Sequence, residues 1–234
     1  MIKDKWIAFS KKLTPAYITK VALLTGLSYI LYLFVKVKLP SIFPFFLEMQ
    51  ISELPAILAG FSLGPTAGTL VIILKCLLKF PLSSTLYVGE ITDMVLGILY
   101  VLPASVIYNR NKTKKSALIA LVIGTLASTA GAMILNYFVS VPFFVKMYFG
   151  GDFGAIVGAL SALYKNITVD NFYAIYLFAG ILPFNLLRLL IVSVLTFLLY
   201  KRLSKALHWE IPRKEPVEIS EETQSDPGKD KKAE

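Results

Sequence analysis

Continuous apolar stretches, each about as long as a membrane-spanning helix, occupy most of this 234-residue sequence. A helix needs about 20 predominantly apolar residues to cross the hydrocarbon core of a bilayer. The mean hydropathy of +0.68 agrees with this interpretation, because a water-soluble domain of this length needs far more polar surface. We therefore predict an all-α, polytopic membrane protein with six transmembrane helices. Their predicted positions are residues 16–35, 53–63, 65–80, 88–109, 115–140 and 172–203.

The basic residues predict the orientation of these helices. Lysine and arginine gather in residues 1–15, in the 109–115 loop and beyond the last helix, and they are fewer in the other connections. Cytoplasmic segments carry such an excess, so both termini are predicted to be cytoplasmic. The net charge of +9 then reflects topology and contact with anionic lipid, and nucleic acid is not an expected partner. We expect a membrane domain over 16–205 and a charged, disordered cytoplasmic tail over 206–234.

Residues 43–79 give the first indication of a binding site. Glu48 and Glu53 precede an apolar run that is broken once, at Gly64-Pro65. Proline interrupts a helix, so this run is predicted to form two short helices. Irregular backbone survives at membrane depth only against protein or a cavity. We expect the Glu48 loop to form one wall of an outward-open pocket, and Glu53 to act as a charge at a helix N-terminus.

Polar side chains in the later helices provide candidates for the facing wall. An amide or a guanidinium inside an apolar segment is costly unless it is partnered. Asn136 could bind a ligand or join two helices, and its position alone does not decide between these roles. Asn185 and Arg188 are three residues apart and share a helix face. We favour a ligand-facing role for this pair over an ion pair of Arg188 with Glu90 or Asp93. These two carboxylates could contact ligand, form ion pairs or face the outer water.

Several function classes lack the residues that they need. The sequence contains no G-x-x-x-x-G-K-[ST] motif for nucleotide phosphates, and one cysteine with one histidine cannot complete a zinc site. The helices also carry no cluster of several carboxylates of the kind that membrane phosphotransferases use. We predict no enzymatic activity, no cofactor and no bound metal.

Ala22 and Gly26 form a pair of small residues four positions apart on the first predicted helix. Such a pair lets another helix approach closely. The approaching helix could belong to this protein or to a partner, and the spacing leaves both possibilities open.

Several segments carry a further resemblance when they are taken together. They are PFFLEMQISELPAILAGFSLGPTAGTLVIILK, GEITDMVLGILYVLPASVIYNRNKTKK, PFNLLR, the ALLTG of the first helix and the helix that contains Asn136. Over about residues 15–205 the sequence resembles the substrate-binding S components of energy-coupling factor (ECF) transporters, particularly the riboflavin-specific type. The resemblance implies a bacterial cell-membrane protein that captures riboflavin from outside with high affinity. It also implies partners that supply the energy, namely a transmembrane T subunit and two ATPase subunits.

The resemblance also implies roles for individual residues. Ligand contacts are expected from Leu47, Glu48, Met49, Asn136, Asn185 and Arg188. In the family the T subunit docks on an Ala-x-x-x-Ala pair of the first helix, which corresponds here to Ala22 and Gly26. Glycine at the second position keeps this surface small.

Riboflavin suits these residue types on physical grounds as well. Amides can bind the carbonyl and imide edges of its flat ring, and carboxylate or cationic groups can bind its hydroxyl-bearing ribityl chain. The ligand is neutral, so no excess of one charge is needed. A cationic vitamin such as thiamine would instead need Glu48, Glu90 and Asp93 to form an acidic pocket. An S component for thiamine, biotin or pantothenate, or a stand-alone ion-coupled secondary transporter, remains an alternative.

Overall fold

The protein is described here by a computed structural model that covers residues 14–44 and 47–207, with side chains as far as residue 202. Most of the predicted N-terminal segment 1–15 and of the predicted tail 206–234 lies outside the described residues. The helices in the described part are α1 (Pro15–Phe34), α2 (Glu53–Leu63), α3 (Pro65–Lys79), α4 (Val88–Arg110), α5 (Lys114–Leu135), α6 (Val141–Tyr148), α7 (Phe153–Ser161), α8 (Phe172–Ile175) and α9 (Leu182–Leu207). Two π-helical segments, Asn136–Ser140 and Tyr176–Ile181, join α5 to α6 and α8 to α9.

Helical stretches long and apolar enough to cross a membrane confirm the predicted all-α membrane class. Five are found in the described part of the chain, and α2 is a sixth, shorter apolar helix. The five stretches are Pro15–Phe34, Pro65–Leu82, Val88–Arg110, Lys114–Tyr148 and Phe172–Arg202.

Local sequence signals explain where several helices begin and end. The hydroxyl oxygens of Thr14 and Thr113 accept hydrogen bonds from the third backbone N–H beyond them, which caps α1 and α5. Helix α2 ends at Gly64, whose φ of 106° is rarely accessible to residues with a side chain, and Pro65 then starts α3. The predicted break at Gly64-Pro65 is therefore present in the structure.

Helix α2 lies at the centre of the fold. Its residues from Glu53 to Ser62 are all buried, which is typical of a helix that is surrounded by others. Close contacts depend on small residues: a Cβ atom at Gly60 would lie 1.9 Å from Ser105 Oγ of α4, and one at Gly68 of α3 would lie 2.8 Å from the Ala56 carbonyl oxygen. Helices α2, α3 and α4 therefore pack almost backbone to backbone.

The region after the fifth predicted helix differs from its prediction. The sequence predicted that this helix ends at 140, but the helical backbone continues through the π segment into α6 and ends at Tyr148. Pro142 does not stop it, because the π segment before it accommodates the hydrogen bond that the proline cannot donate. Helices α6 and α7 thus occupy just over half of the predicted outer loop 141–171. Ile156 and Leu160 of α7 are buried in one core cluster with Val141 and Val145 of α6.

A second, short element closes one end of the helix bundle. Strand β1 (Lys36–Lys38) pairs antiparallel with strand β2 (Glu48–Gln50), and Lys38 lies opposite Glu48. These strands follow α1 and precede α2, at the end of the bundle where α3 ends and α4 begins. The basic residues Arg110, Lys114 and Arg202 lie at the opposite end. The predicted orientation would place the strand-bearing end outside the cell.

Candidate binding site

A cavity of about 230 Å³ lies at the strand-bearing end of the bundle, between β2, α4, the end of α5 and the start of α9. Five of the six predicted ligand-contact residues line it. They are Leu47, Glu48, Asn136, Asn185 and Arg188. The sixth, Met49, is not among the residues that line the cavity. The structure therefore brings the two predicted walls together, and the ligand-binding role of each residue stays a prediction.

The backbone of β2 explains why Met49 is turned away. Side chains alternate between the two faces of an extended strand, so three consecutive residues cannot face one cavity. Glu48 and Gln50 line the cavity, and Met49 between them lies opposite Val37 of β1. The sequence interpretation treated 47–49 as a loop. Only when the segment is known to be a strand does the two-residue spacing from Glu48 identify Gln50.

Glu48 lies at the more exposed side of the cavity and forms ion pairs with both neighbouring lysines of β1. Lys36 Nζ lies 3.2 Å and Lys38 Nζ lies 3.3 Å from its carboxylate oxygens. All three side chains are partly exposed, so water screens these pairs and they contribute little to stability. They do hold the Glu48 carboxylate beside the cavity.

Asn136 and Asn185 lie next to the two π-helical segments. Asn136 is the first residue of one segment, and Asn185 lies one turn beyond the other. The amide nitrogen of each donates to the carbonyl of the residue four positions earlier, at 2.8 and 2.9 Å. An amide nitrogen carries two hydrogens, so a second donor remains on each. Tyr176 also donates to Asn136 Oδ1 at 2.9 Å, so Asn136 joins two helices and lines the cavity as well.

The π segments have a cause in the sequence. Pro142 and Pro183 each follow a segment closely, and a proline lacks the N–H that would bond to the carbonyl four residues earlier. An extra residue in the turn before the proline accommodates this missing bond, and such bulges are frequent at functional sites. The sequence analysis did not predict these bulges, although both prolines were visible.

Arg188 both lines the cavity and forms ion pairs, and its predicted role in ligand binding stays a prediction. Its side chain is almost fully buried and lines the cavity. Its Nη1 atom lies 3.4 Å from Glu53 Oε1 and 3.7 Å from Asp93 Oδ1. Asp93 is therefore an ion-pair partner as well as a cavity residue. Glu53 begins α2, as expected, but it is completely buried and also lies 3.8 Å from Lys75 Nζ.

Asp93 accepts two further hydrogen bonds at the cavity wall. The hydroxyl of Tyr32 donates to its Oδ2 atom, and Gln50 Nε2 donates to the same oxygen at 2.7 Å. These contacts join α1, β2 and α4. The sequence analysis did not identify Tyr32 or Gln50, because a tyrosine near a helix end is common in membrane proteins.

Glu90 is held by a short polar turn at the start of α4. The hydroxyls of Ser83 and Thr85 donate to its Oε2 atom at 2.7 and 2.9 Å. Lys79 Nζ lies 3.6 Å from Oε1 and 3.8 Å from the centre of the Tyr32 ring. Glu90 thus has several partners on one side and the cavity on the other.

The charges that line the cavity neutralise one another. Its three carboxylates are those of Glu48, Glu90 and Asp93, and its three cations are those of Lys38, Lys79 and Arg188. Each carboxylate lies within 4 Å of one of these cations, at 3.3, 3.6 and 3.7 Å respectively. The cavity therefore has no formal net charge. Among the described residues, no group of three or more His, Cys, Asp or Glu side chains could hold a metal ion.

Comparison with known proteins decides the family. A sequence model of the family "ECF transporter, substrate-specific component" matches residues 16–200. The chain belongs to this family. The predicted family is thus confirmed, and the matched residues include both walls of the cavity.

Named relatives of this S component come from three bacteria. It is 29% identical over 187 residues to riboflavin transporter RibU of Staphylococcus aureus, covering 80% of this chain and 89% of that protein. It is 26% identical to riboflavin transporter FmnP of Bacillus subtilis, covering 78% and 89%. It is 30% identical to riboflavin transporter RibU of Streptococcus thermophilus, covering 80% and 82%.

A solved structure supports the same assignment. The S component of a bacterial ECF transporter matches with a TM-score of 0.61 and 28% identity, over 82% of this chain and 98% of that one. The arrangement of helices described above is therefore that of an ECF S component.

The predicted docking pair lies away from the cavity of this S component. Ala22 is exposed on α1, Gly26 is partly exposed, and a Cβ atom at Gly26 would meet no other atom within 4 Å. Gly26 therefore does not pack closely against another helix of the described protein. An outward-facing surface is what docking requires, and the docking role stays a prediction.

Proposed function

We propose that this S component binds riboflavin in the cavity and delivers it through an ECF complex with a T subunit and two ATPase subunits. The observation that carries this proposal is the neutral, polar cavity, in which each carboxylate is paired with a cation and two amides keep unused donors. It suits a ligand that has hydrogen-bonding edges and no charge. The names of the three relatives support riboflavin among the ligands of this kind.

The paired charges argue against the cationic alternative. Glu48, Glu90 and Asp93 do converge on the cavity, as a thiamine site would need. However, each of them already has a lysine or arginine beside it, so a cationic ligand would gain no excess of negative charge. A permanent cation would also have to displace one of these protein cations.

Apolar side chains provide the surfaces for a flat ring. Leu47, Leu96, Ile181 and Phe184 line the cavity together with the polar groups. Ligand sites of this kind bury most of the ligand against apolar walls and use a few polar groups to orient it. We propose that the amides of Asn136 and Asn185 bind the ring edges while the charged groups bind the ribityl hydroxyls.

The purified protein tests the proposal directly. It should carry flavin, detected as visible absorbance, or quench the fluorescence of added riboflavin with a saturable, high-affinity curve. Thiamine, biotin and pantothenate should not compete. Replacing both Asn136 and Asn185 with alanine should weaken binding at least about tenfold. The control Thr125→Val, in α5 but outside the cavity, should bind normally.

Vesicles test the requirement for partners. Uptake of riboflavin should need the T subunit, the ATPases and ATP, and should be insensitive to an ionophore. Uptake by this chain alone that an ionophore abolishes would favour an ion-coupled transporter instead. A colourless preparation that fails to bind added riboflavin would overturn the assignment of the ligand.

A further inference from the structure

A closed ring of polar side chains lies at and behind the inner wall of the cavity. Its members come from β2, α2, α3, α4 and α9 and from the residue that precedes α2. The polar ring consists of Gln50, Ser52, Glu53, Lys75, Asp93 and Arg188. We propose that the three members that do not line the cavity are positioning residues for the three that do, an inference that rests on the proposed riboflavin site.

Hydrogen bonds form one half of the polar ring. Lys75 Nζ donates to Ser52 Oγ at 2.6 Å, and Ser52 Oγ donates to Gln50 Oε1 at 3.3 Å. Gln50 Nε2 then donates to Asp93 Oδ2 at 2.7 Å. Because the amide oxygen of Gln50 is held by Ser52, its nitrogen is directed toward Asp93. Lys75 therefore determines, through Ser52, how Gln50 presents its amide at the cavity wall.

Ion pairs form the other half. Lys75 Nζ lies 3.8 Å from Glu53 Oε1, and the same oxygen lies 3.4 Å from Arg188 Nη1. Arg188 Nη1 also lies 3.7 Å from Asp93 Oδ1, which closes the ring. One guanidinium nitrogen thus lies between two carboxylates. Its position depends on both of them, although only Asp93 faces the cavity.

Burial makes these contacts strong determinants of position. The side chains of Glu53 and Lys75 are both 0% exposed, and neither Glu53 oxygen accepts a hydrogen bond within the described structure. Charge is therefore what holds Glu53 to its two cations. A buried charge that loses its partner is strongly destabilising, whereas removing both members of a pair together is often nearly neutral. This difference allows structural support to be separated from positioning.

Three variants separate the two roles: Glu53→Gln, Lys75→Met and the combination of both. For each, the unfolding temperature of the ligand-free protein and the dissociation constant of riboflavin are measured in detergent. Glu53→Gln leaves Lys75 without an ion-pair partner, and Lys75→Met leaves Glu53 and Asp93 to share Arg188. Either single variant therefore leaves one buried charge uncompensated and should lower the unfolding temperature by roughly 10 °C. The double variant leaves Asp93 and Arg188 paired with each other. Its unfolding temperature should return to within about 4 °C of the original.

Riboflavin affinity should behave differently from stability. In the double variant Arg188 has lost Glu53, and Ser52 has lost the lysine that orients it. Binding should therefore remain at least about tenfold weaker, which corresponds to a lost hydrogen bond to a charged group. The control Asn109→Ala removes the hydrogen bond from α4 to the Gly60 carbonyl of α2, outside the ring and the cavity. It should lower the unfolding temperature without weakening the binding of riboflavin.

Two results would overturn the inference, and they can be told apart. If the double variant regains both stability and full affinity, the ring members behind the cavity only support the fold, and the proposed function stands. If the unmodified protein fails to bind riboflavin, the proposed function fails and this inference fails with it.

Discussion

Replacing Arg188 with methionine tests the electrostatic description of the cavity most directly. Methionine keeps an unbranched side chain of similar length and removes the charge. Glu53 would retain Lys75 at 3.8 Å, and Asp93 would retain its hydrogen bonds from Tyr32 and Gln50. The wall of the cavity would then carry one carboxylate more than it has cations.

The structure sets the size of the expected effect. Removing one partner of a buried ion pair costs about 3–5 kcal/mol. The Asp93 side chain is 20% exposed, so water stabilises part of the uncompensated charge and the lower value of about 3 kcal/mol is expected. For a protein of this size, that free energy lowers the unfolding temperature by about 6–12 °C. Riboflavin affinity should also fall by at least about tenfold, because Arg188 lines the cavity.

Two companion variants make the assay specific to charge. Arg188→Lys keeps the charge on a single ammonium group and should lose less stability than Arg188→Met, while its geometry at the two carboxylates is altered. Arg188→Met combined with Asp93→Asn restores the balance of charge and should regain most of the lost stability without regaining affinity. Thermal unfolding without ligand and fluorescence titration with riboflavin measure the two effects. If Arg188→Met unfolds within about 2 °C of the original protein and binds riboflavin equally well, Arg188 does not have the electrostatic role described here.

The remaining predictions concern packing, strand geometry and the break between α2 and α3. Gly60→Ala should destabilise the protein by about 1–3 kcal/mol, because the new methyl would meet Ser105 Oγ at 1.9 Å. Adding Ser105→Gly should recover part of that loss in thermal unfolding, and no recovery would contradict the packing described. Glu48→Gln should weaken riboflavin binding about tenfold in a titration, whereas Met49→Ala should change it by less than about threefold. If Glu48→Gln and Met49→Ala weakened binding equally, residues 48–50 would not form an extended strand in the protein that binds riboflavin. Gly64→Ala should cost about 1–3 kcal/mol in thermal unfolding because of its φ of 106°, and an unchanged transition would argue against this turn.

Polar residues that are costly to bury in an apolar helix are conspicuous in the sequence. An asparagine or an arginine within an apolar helix has few explanations other than a partner or a ligand. Asn136, Asn185 and Arg188 could therefore be selected without knowledge of the fold, and all three line the cavity. Gly64-Pro65 was predictable because glycine is a poor helix former and proline cannot donate a helical hydrogen bond.

The residues that were missed depend on contacts between distant parts of the chain. Glu53 at the start of a helix is ordinary in sequence, because a carboxylate is favourable there. Only the packing of α2 inside the other helices buries it between Lys75 and Arg188. Gln50 was missed because nothing local distinguishes a three-residue strand from a loop. Both errors concern which elements are neighbours, and a single sequence carries little information about that.

The short helix α2 explains where the cavity lies in the fold. An α-helix of 11 residues is about 16 Å long, roughly half of the hydrocarbon thickness of a bilayer. Helix α2, from Glu53 to Leu63, is therefore too short to cross a bilayer by itself. Strand β2 and the cavity lie at the Glu53 end of α2, where irregular backbone is tolerated because protein surrounds it. A helix extended at its Glu53 end would occupy this space. The start of α2 at Glu53 therefore leaves room for the cavity, and the Gly64-Pro65 turn at the other end reverses the chain so that Lys75 of α3 lies 3.8 Å from Glu53.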